Sequence, residues 1–137
     1  MDAVFAAITI TGSQIYARNK GEYIVSRGNS KAVDSDKNVI RSEIMTYDKN
    51  KSAVSAFGNV VIVTSSGTIR SDNAVYDTDS KILIMRKDKK RPEADVIYEG
   101  RKGFYRADKI TFYNYDKKRI LLEGDVSGKI QMEDKLP

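Results

Sequence analysis

The stretch 41–77 restates its own beginning, and this feature most limits how the chain can fold. Arg-Ser-Glu at 41–43 precedes Tyr-Asp at 47–48, and Arg-Ser-Asp at 70–72 precedes Tyr-Asp at 76–77. Between the two copies lie turn residues, an alternating apolar run and a Gly-Asn pair. Such self-similarity indicates a repeat architecture, which has to be settled before a fold is assigned.

Two sequence marks divide the chain into four units of two strands each. Arg41, Arg70 and Arg106 each begin an Arg-Ser/Ala-acid motif, and they lie 29 and 36 residues apart. The second mark is a glycine followed by Asn or Asp, found at Gly28, Gly58 and Gly124 and missing from the third unit. We predict one domain over 1–137, with repeats at approximately 8–41, 41–70, 70–106 and 106–131.

Each unit reads as a strand, a turn and a returning strand. The turns at 48–51, 77–80 and 116–118 contain Asp, Asn, Lys and Ser. Asp and Asn favour turns because their side chains satisfy nearby backbone groups. Tyr, Val and Ile favour the flanking strands, and no stretch shows an apolar stripe of period 3.6. The pattern predicts an all-β chain of antiparallel hairpins with almost no helix.

Alternation along the strands predicts which side chains point inward. Counting by twos from each glycine mark gives one apolar face and one face rich in charged and amide side chains. The glycine is expected on the apolar face, where it permits a bulge. The predicted inward residues are Ile24, Met45, Val54, Ala56, Val60, Ile62, Ala74, Tyr76, Ile82, Ile84, Ile110, Phe112, Ile120, Leu122 and Val126.

Two patterns leave alternatives open. Several inward residues are small (Ser26, Ser30, Ala32, Ala56 and Ala74), so the two sheets either leave a slot for an acyl chain or approach each other closely.

The motif arginines precede Glu43, Asp72 and Asp108 by two positions, on one strand face. They form either a row of surface salt bridges between neighbouring repeats or a ladder of cations for acidic head groups.

Composition excludes several classes of function. The chain has no Cys and no His, which removes disulfides, thiolate metal sites, histidine bases and Ser-His triads. No apolar run approaches the roughly 18 residues of a membrane helix. The net charge of +5, from 24 basic and 19 acidic residues, is a mild bias that suits anionic partners or simply solubility.

No motif predicts an active site, a cofactor or a metal. Asp77-Thr78-Asp79 lacks the remaining ligands of a calcium loop, and the glycine-containing stretches 65–67 and 100–103 are hairpin turns rather than phosphate loops, because no helix follows them. The basic run 86–91 is either a polyanion-binding site or a solvated loop. It contains no aromatic residue, which argues against nucleic acid as a partner.

The N-terminal stretch 1–7 has two interpretations. Val4-Phe5-Ala6 resembles the end of a secretory signal with Ala6 at the cleavage position, which indicates a chain trimmed close to its mature start. The alternative is a plain first strand that leads into 8–11.

Gly58 to Asp77 resembles the OstA-like repeat of the lipopolysaccharide-transport proteins of Gram-negative bacteria, with looser copies at 106–112 and 121–126. The resemblance spans approximately 8–131 and departs in the third unit, where the glycine is lost and a basic loop is inserted. It implies a periplasmic, non-enzymatic β-jellyroll with one open edge, and the inward residues above become its lipid-contacting positions. The implied partners are the lipid A acyl chains of lipopolysaccharide, further copies added end to end by strand addition, and related jellyroll domains of inner- and outer-membrane transport proteins.

Two other readings compete with a soluble lipid-carrying bridge. A membrane-anchored member of the same family requires an N-terminal transmembrane helix, which is absent from these residues but could have been cut away. A structural β-solenoid or jellyroll scaffold polymerises without carrying lipid. Uniform repeats are expected of a solenoid, so the unequal spacings of 29 and 36 favour a jellyroll with loops.

Overall fold

The structure, a computed structural model, describes residues 8–65, 67–88, 95–100, 103–113 and 119–130. In these ranges the chain forms antiparallel strands and one 3₁₀ turn at Asn19–Gly21, and no helix there is long and apolar enough to cross a membrane. The strands are β1 (Thr9–Thr11), β2 (Gln14–Arg18), β3 (Tyr23–Val33), β4 (Val39–Asp48), β5 (Ala53–Thr64), β6 (Gly67–Asp77), β7 (Ile82–Arg86), β8 (Val96–Gly100), β9 (Gly103–Ala107), β10 (Lys109–Tyr113), β11 (Arg119–Glu123) and β12 (Ser127–Ile130).

The strands form an up-and-down meander that is folded along a line across its middle. The long strands β3, β4, β5 and β6 run through both halves. In the half called sheet I, they are flanked by β2 on one side and by β7, β10 and β11 on the other. In the half called sheet II, they are flanked by β1 and by β8, β9 and β12. The antiparallel, open β-jellyroll predicted from the sequence is confirmed, whereas the single domain over 1–137 and its repeat bounds stay predictions.

The fold line passes through the glycine marks. The ladder between β5 and β6 shifts register between Phe57 and Val60, and Gly58 and Asn59 there have φ angles of 84° and 48°. One extra residue in a strand bends it, and glycine adopts positive φ without steric cost. A Cβ on Gly58 would lie 2.7 Å from Oε1 of Glu43. The predicted bulge is present, but the open side of this glycine faces an outer carboxylate instead of the apolar interior.

The turns at the end of sheet I repeat one geometry. Oδ1 of Asp48 accepts the backbone N–H groups of Asn50 and Lys51, and Oδ1 of Asp77 accepts those of Asp79 and Ser80. These bonds are the local backbone contacts expected of aspartate in a turn. The predicted antiparallel pairing is present on either side of two further predicted turns, between Thr64 and Gly67 and between Gly100 and Gly103. Ser66, 101–102 and the turn predicted at 116–118 lie outside the described residues.

The interior lies between the inner faces of the two sheets, which share one apolar cluster. Met45, Ile62, Ile69, Met85 and Ile110 are 0% exposed. Ile62 and Ile69 belong to sheet II and the other three to sheet I. The sheets are therefore packed face to face around a core that runs across both.

Candidate functional site: the apolar interior between the sheets

Side chains of the inner faces form rows that cross the sheets from strand to strand. In sheet I, one row runs through Ile24, Tyr47, Val54, Tyr76, Leu83, Phe112 and Ile120, and the next runs through Ser26, Met45, Ala56, Ala74, Met85, Ile110 and Leu122. In sheet II, a row runs through Ile10, Ala32, Ile40, Ile62, Ile69, Tyr98 and Tyr105. None of these side chains carries a charge, so the interior is apolar from one end of the meander to the other.

Most of the residues predicted to point inward lie in these rows or beside them. Those buried in the shared core are Met45, Val54, Ala56, Val60, Ile62, Ala74, Tyr76, Ile110 and Phe112. Ile24, Ile120 and Leu122 are partly exposed because they stand near the ends of the meander. Whether any of them contacts a lipid stays a prediction.

The inward placement of Ile82 and Ile84 is wrong. Ile84 pairs with Val75 on the outer face, whereas Leu83 and Met85 are buried opposite Tyr76 and Ala74. The third unit has no glycine mark from which to count. The turns supply the missing signal: aligning Asp77 with Asp48 places Leu83 at the position of Val54, six residues further on in each copy.

Val126 is not part of the buried interior, since it is 50% exposed. We call each long strand, or each consecutive pair of short strands, that runs through both sheets a strand path. Val126 follows Gly124 and Asp125, whose φ angles of 78° and 42° bend the last strand path between β11 and β12. No further strand covers this end of the meander in the part of the chain that the structure describes. Val126, predicted to point inward, is exposed because it lies at the edge of the meander.

Sequence reasoning missed an aromatic pair in sheet II. Tyr98 and Tyr105 stack with ring centroids 5.9 Å apart and their planes at 29°. Both strands are short, and they lie between the basic run 86–91 and the end of the third Arg-Ser/Ala-acid motif, where no glycine mark fixed the register. Ile69 was also missed, although the inward Ile62 pairs with it directly.

Small inward residues at the fold line allow close approach of the chain. Ser26 donates to the carbonyl of Thr11 at 3.3 Å and shares a 2.8 Å hydrogen bond with Ser30. Gly12 packs against the Ser26 hydroxyl with no room for a side chain. At this corner, small residues therefore serve close packing of strands rather than a slot.

The two sheets also touch at their outer ends. The Tyr76 hydroxyl, on sheet I, donates to Oδ2 of Asp34 at 3.4 Å, and Nζ of Lys81 lies 3.9 Å from Oδ2 of Asp36. Asp34 and Asp36 belong to the turn between β3 and β4, at the end of sheet II. We call these two contacts the end latch. They join the sheets on the side opposite the fold line.

Acidic residues of the repeated motif lie on the fold line and contact residues of a neighbouring strand. Glu43 accepts a hydrogen bond from Nδ2 of Asn59. Asp108 lies 2.8 Å from Nζ of Lys87, whose pKa is raised mainly by this hydrogen bond. The backbone N–H of Asp88 donates to Asp72 at 3.4 Å. Lys87 and Asp88 therefore occupy the place of the Gly-Asn or Gly-Asp pair of the other units.

The chemistry available to this interior is apolar binding. Among the described residues, no group of three or more acidic side chains is placed to hold a metal ion. Several core side chains are fully inaccessible to solvent, so an apolar guest has to separate the sheets before it contacts them. Among the described strands, the ladders end at β1 and β2 on one side and at β11 and β12 on the other. All five residues of β2 are exposed, so its backbone edge is open to a further strand.

Comparisons with known proteins identify the fold. No protein-family model matches the sequence, and no curated protein matches it. Among solved structures, the chain is similar to LptH of Pseudomonas aeruginosa, described as the LptA-homologous periplasmic component of its lipopolysaccharide transport device. The TM-score is 0.71 at 14% identity, over 91% of this chain and 95% of that one. The chain thus has the LptA-like β-jellyroll fold.

Proposed function

We propose that this protein is a non-enzymatic periplasmic carrier that holds the acyl chains of lipopolysaccharide between its two sheets and bridges the inner and outer membranes. The observation that carries the proposal is the uncharged interior, which crosses every strand path of an LptA-like jellyroll. Burial of an acyl chain in such an interior is favourable by about 0.8 kcal/mol for each methylene. This free energy would offset the cost of separating the two sheets.

The fold line and the end latch define how the sheets would part. Gly28, Gly58 and Gly124 have positive φ and form bulges. Each bulge bends its own strand path at the fold line. The end latch consists of one long hydrogen bond and one exposed ion pair, and contacts of this kind contribute little stability. Opening at the latch while the fold line holds exposes Val54, Tyr76 and their neighbours to a lipid.

End-to-end addition of copies would extend the carrier. A strand path at β11–β12 of one copy, next to β1–β2 of another, continues the same antiparallel meander. Strand addition at open edges is a recurrent mode of protein recognition. Related jellyroll domains of inner- and outer-membrane transport proteins present equivalent partners. We assign the soluble, LptA-like role in preference to the LptC-like membrane-anchored one because an interior carrier with two open edges accepts a partner on each side.

Displacement of an apolar fluorophore tests the proposal. A fluorescent fatty acid should gain emission on binding, and intact lipopolysaccharide should displace it while deacylated lipopolysaccharide does not. Light scattering should show a mean mass that grows with protein concentration. If the mass grows but neither lipid binds, the protein is a structural scaffold and the carrier proposal fails.

A further inference from the structure

The three arginines of the repeated motif lie in one row on the outer face of sheet II. Cross-strand pairing connects Lys31 to Arg41, Arg41 to Arg70 through Val61, and Arg70 to Arg106 through Ile97. We call Lys31, Arg41, Arg70 and Arg106 the basic row. It spans five strand spacings of about 4.8 Å, a length of about 24 Å.

Carboxylates of the described residues neutralise little of the positive charge of the basic row. The motif acids do not pair with it, because Glu43 accepts from Asn59 and Asp108 contacts Lys87 at the fold line. In the part of the chain that the structure describes, Glu99 is the single carboxylate within 4 Å of the row, 3.9 Å from Arg70. Both of those side chains are 56% exposed, so their attraction is screened by water. The predicted row of salt bridges between repeats is therefore not what the arginines form.

A strip that is uncharged except at Glu99 lies directly beside the basic row on the same outer face. It contains Val33, Val39, Val63, Thr68 and Phe104, which follow one another from strand to strand apart from Glu99. Val63 is 42% exposed. The guanidinium of Arg106 lies over the Phe104 ring, 5.6 Å from its centroid, so this ring is not offered to a stacking base. The other uncharged members of the strip are partly exposed. Cations beside partly exposed apolar side chains fit the head-group region of a bilayer better than they fit nucleic acid.

We propose that the outer face of sheet II docks on a membrane surface that carries anionic phospholipid. The basic row would face lipid phosphates, and Val63 with its neighbours would contact the region beneath them. Each cation near an anionic membrane surface strengthens binding by a factor of about five. This surface is separate from the interior, so docking does not depend on the carrier proposal.

Vesicle sedimentation tests the docking surface. The full chain should bind vesicles of phosphatidylcholine with phosphatidylglycerol, and not vesicles of phosphatidylcholine alone. The double variant Arg41→Gln/Arg106→Gln should bind about 25-fold more weakly, from two charges at about fivefold each. The matched control is Arg27→Gln/Arg86→Gln, which removes two exposed arginines from the outer face of sheet I and should change binding less than twofold. Circular dichroism should show both variants folded.

Three results would overturn the proposal. One is equal loss of binding in the matched control, which would make the effect one of net charge. Another is absence of binding of the unmodified chain to the anionic vesicles at 0.1 M salt. The third is loss of binding to single-stranded DNA, but not to vesicles, in the Arg41→Gln/Arg106→Gln variant, which would assign the row to nucleic acid.

Discussion

Nζ of Lys87, in the one unit that lacks the glycine mark, lies 2.8 Å from Oδ1 of Asp108 at the fold line. The same ammonium lies 3.6 Å from Asp95, so one lysine contacts two carboxylates. At Gly58 and Gly124 a bulged glycine lies against the motif acid, Glu43 or Asp108. In the third unit, a charged contact occupies that place.

The Lys87 contact predicts a pH-dependent difference in stability. Its folded-state pKa is raised above the ordinary value of 10.5, first by the Asp108 hydrogen bond. A raised pKa means that the stabilisation is complete below 10.5 and is lost as the pH rises through the folded-state value. Lys87→Met should melt at a lower temperature than the unmodified protein at pH 8, and the two melting temperatures should converge as the pH rises beyond the raised folded-state pKa. A difference that stays constant across this range would show that Lys87 acts through packing alone.

Replacing a glycine at the fold line should lower the free energy of unfolding more than replacing a glycine of similar φ elsewhere. Gly58 (φ 84°) has Glu43 against its open side, whereas Gly21 (φ 89°) has no atom within 4 Å. Gly21→Ala should lower the free energy of unfolding by about 1–2 kcal/mol, from backbone strain. Gly58→Ala should add a crowding cost of about 1–3 kcal/mol. Urea denaturation measures both, and equal losses would mean that Glu43 moves aside without cost.

The two faces of β7 should respond differently to truncation. Met85 is fully buried, and its neighbour Ile84 lies on the outer face. Met85→Ala should lower the free energy of unfolding by about 2–5 kcal/mol. Ile84→Ala should cost distinctly less, because part of its surface is already in water. If urea denaturation showed a larger loss for Ile84→Ala than for Met85→Ala, Ile84 would face the interior, as predicted from the sequence.

The contrast between β5 and β7 shows what the sequence can determine. Val54, Ala56, Val60 and Ile62 were placed correctly because Gly58 fixes the register and period-2 alternation continues on both sides of it. For Ile82 and Ile84 no mark was present, and an apolar run such as Ile-Leu-Ile-Met offers either alternate set to the core. A one-residue change of register reverses every side chain.

Contacts between distant parts of the chain could not be predicted from the sequence. Tyr76 and Asp34 meet because the bends at the fold line bring one end of sheet I over one end of sheet II. Neither residue stands out in its local sequence. The same is true of the basic row: its arginines were recognised as a repeat, but the partners of their neighbouring acids depended on the geometry of the bulges.

Weakening the end latch should speed the entry of lipid. Tyr76→Phe removes the hydroxyl that donates to Asp34 and keeps the buried ring. We expect uptake of a fluorescent fatty acid to be faster by severalfold, because one net hydrogen bond contributes about 1 kcal/mol. Stopped-flow fluorescence measures the rate, and Tyr16→Phe, at a tyrosine 46% exposed on β2, is the control. Equal rates in all three proteins would exclude the latch as the barrier.

Site-specific photo-crosslinking to lipopolysaccharide tests the carrier account most directly. A photoreactive residue is placed at inward Val60, Ile62 or Leu122, and at outward Phe57 or Val75, which are 44% and 43% exposed. We predict crosslinks to intact lipopolysaccharide from the inward set alone, and none from any position to deacylated lipopolysaccharide. Crosslinks from Phe57 and Val75, with none from the inward positions, would contradict the account.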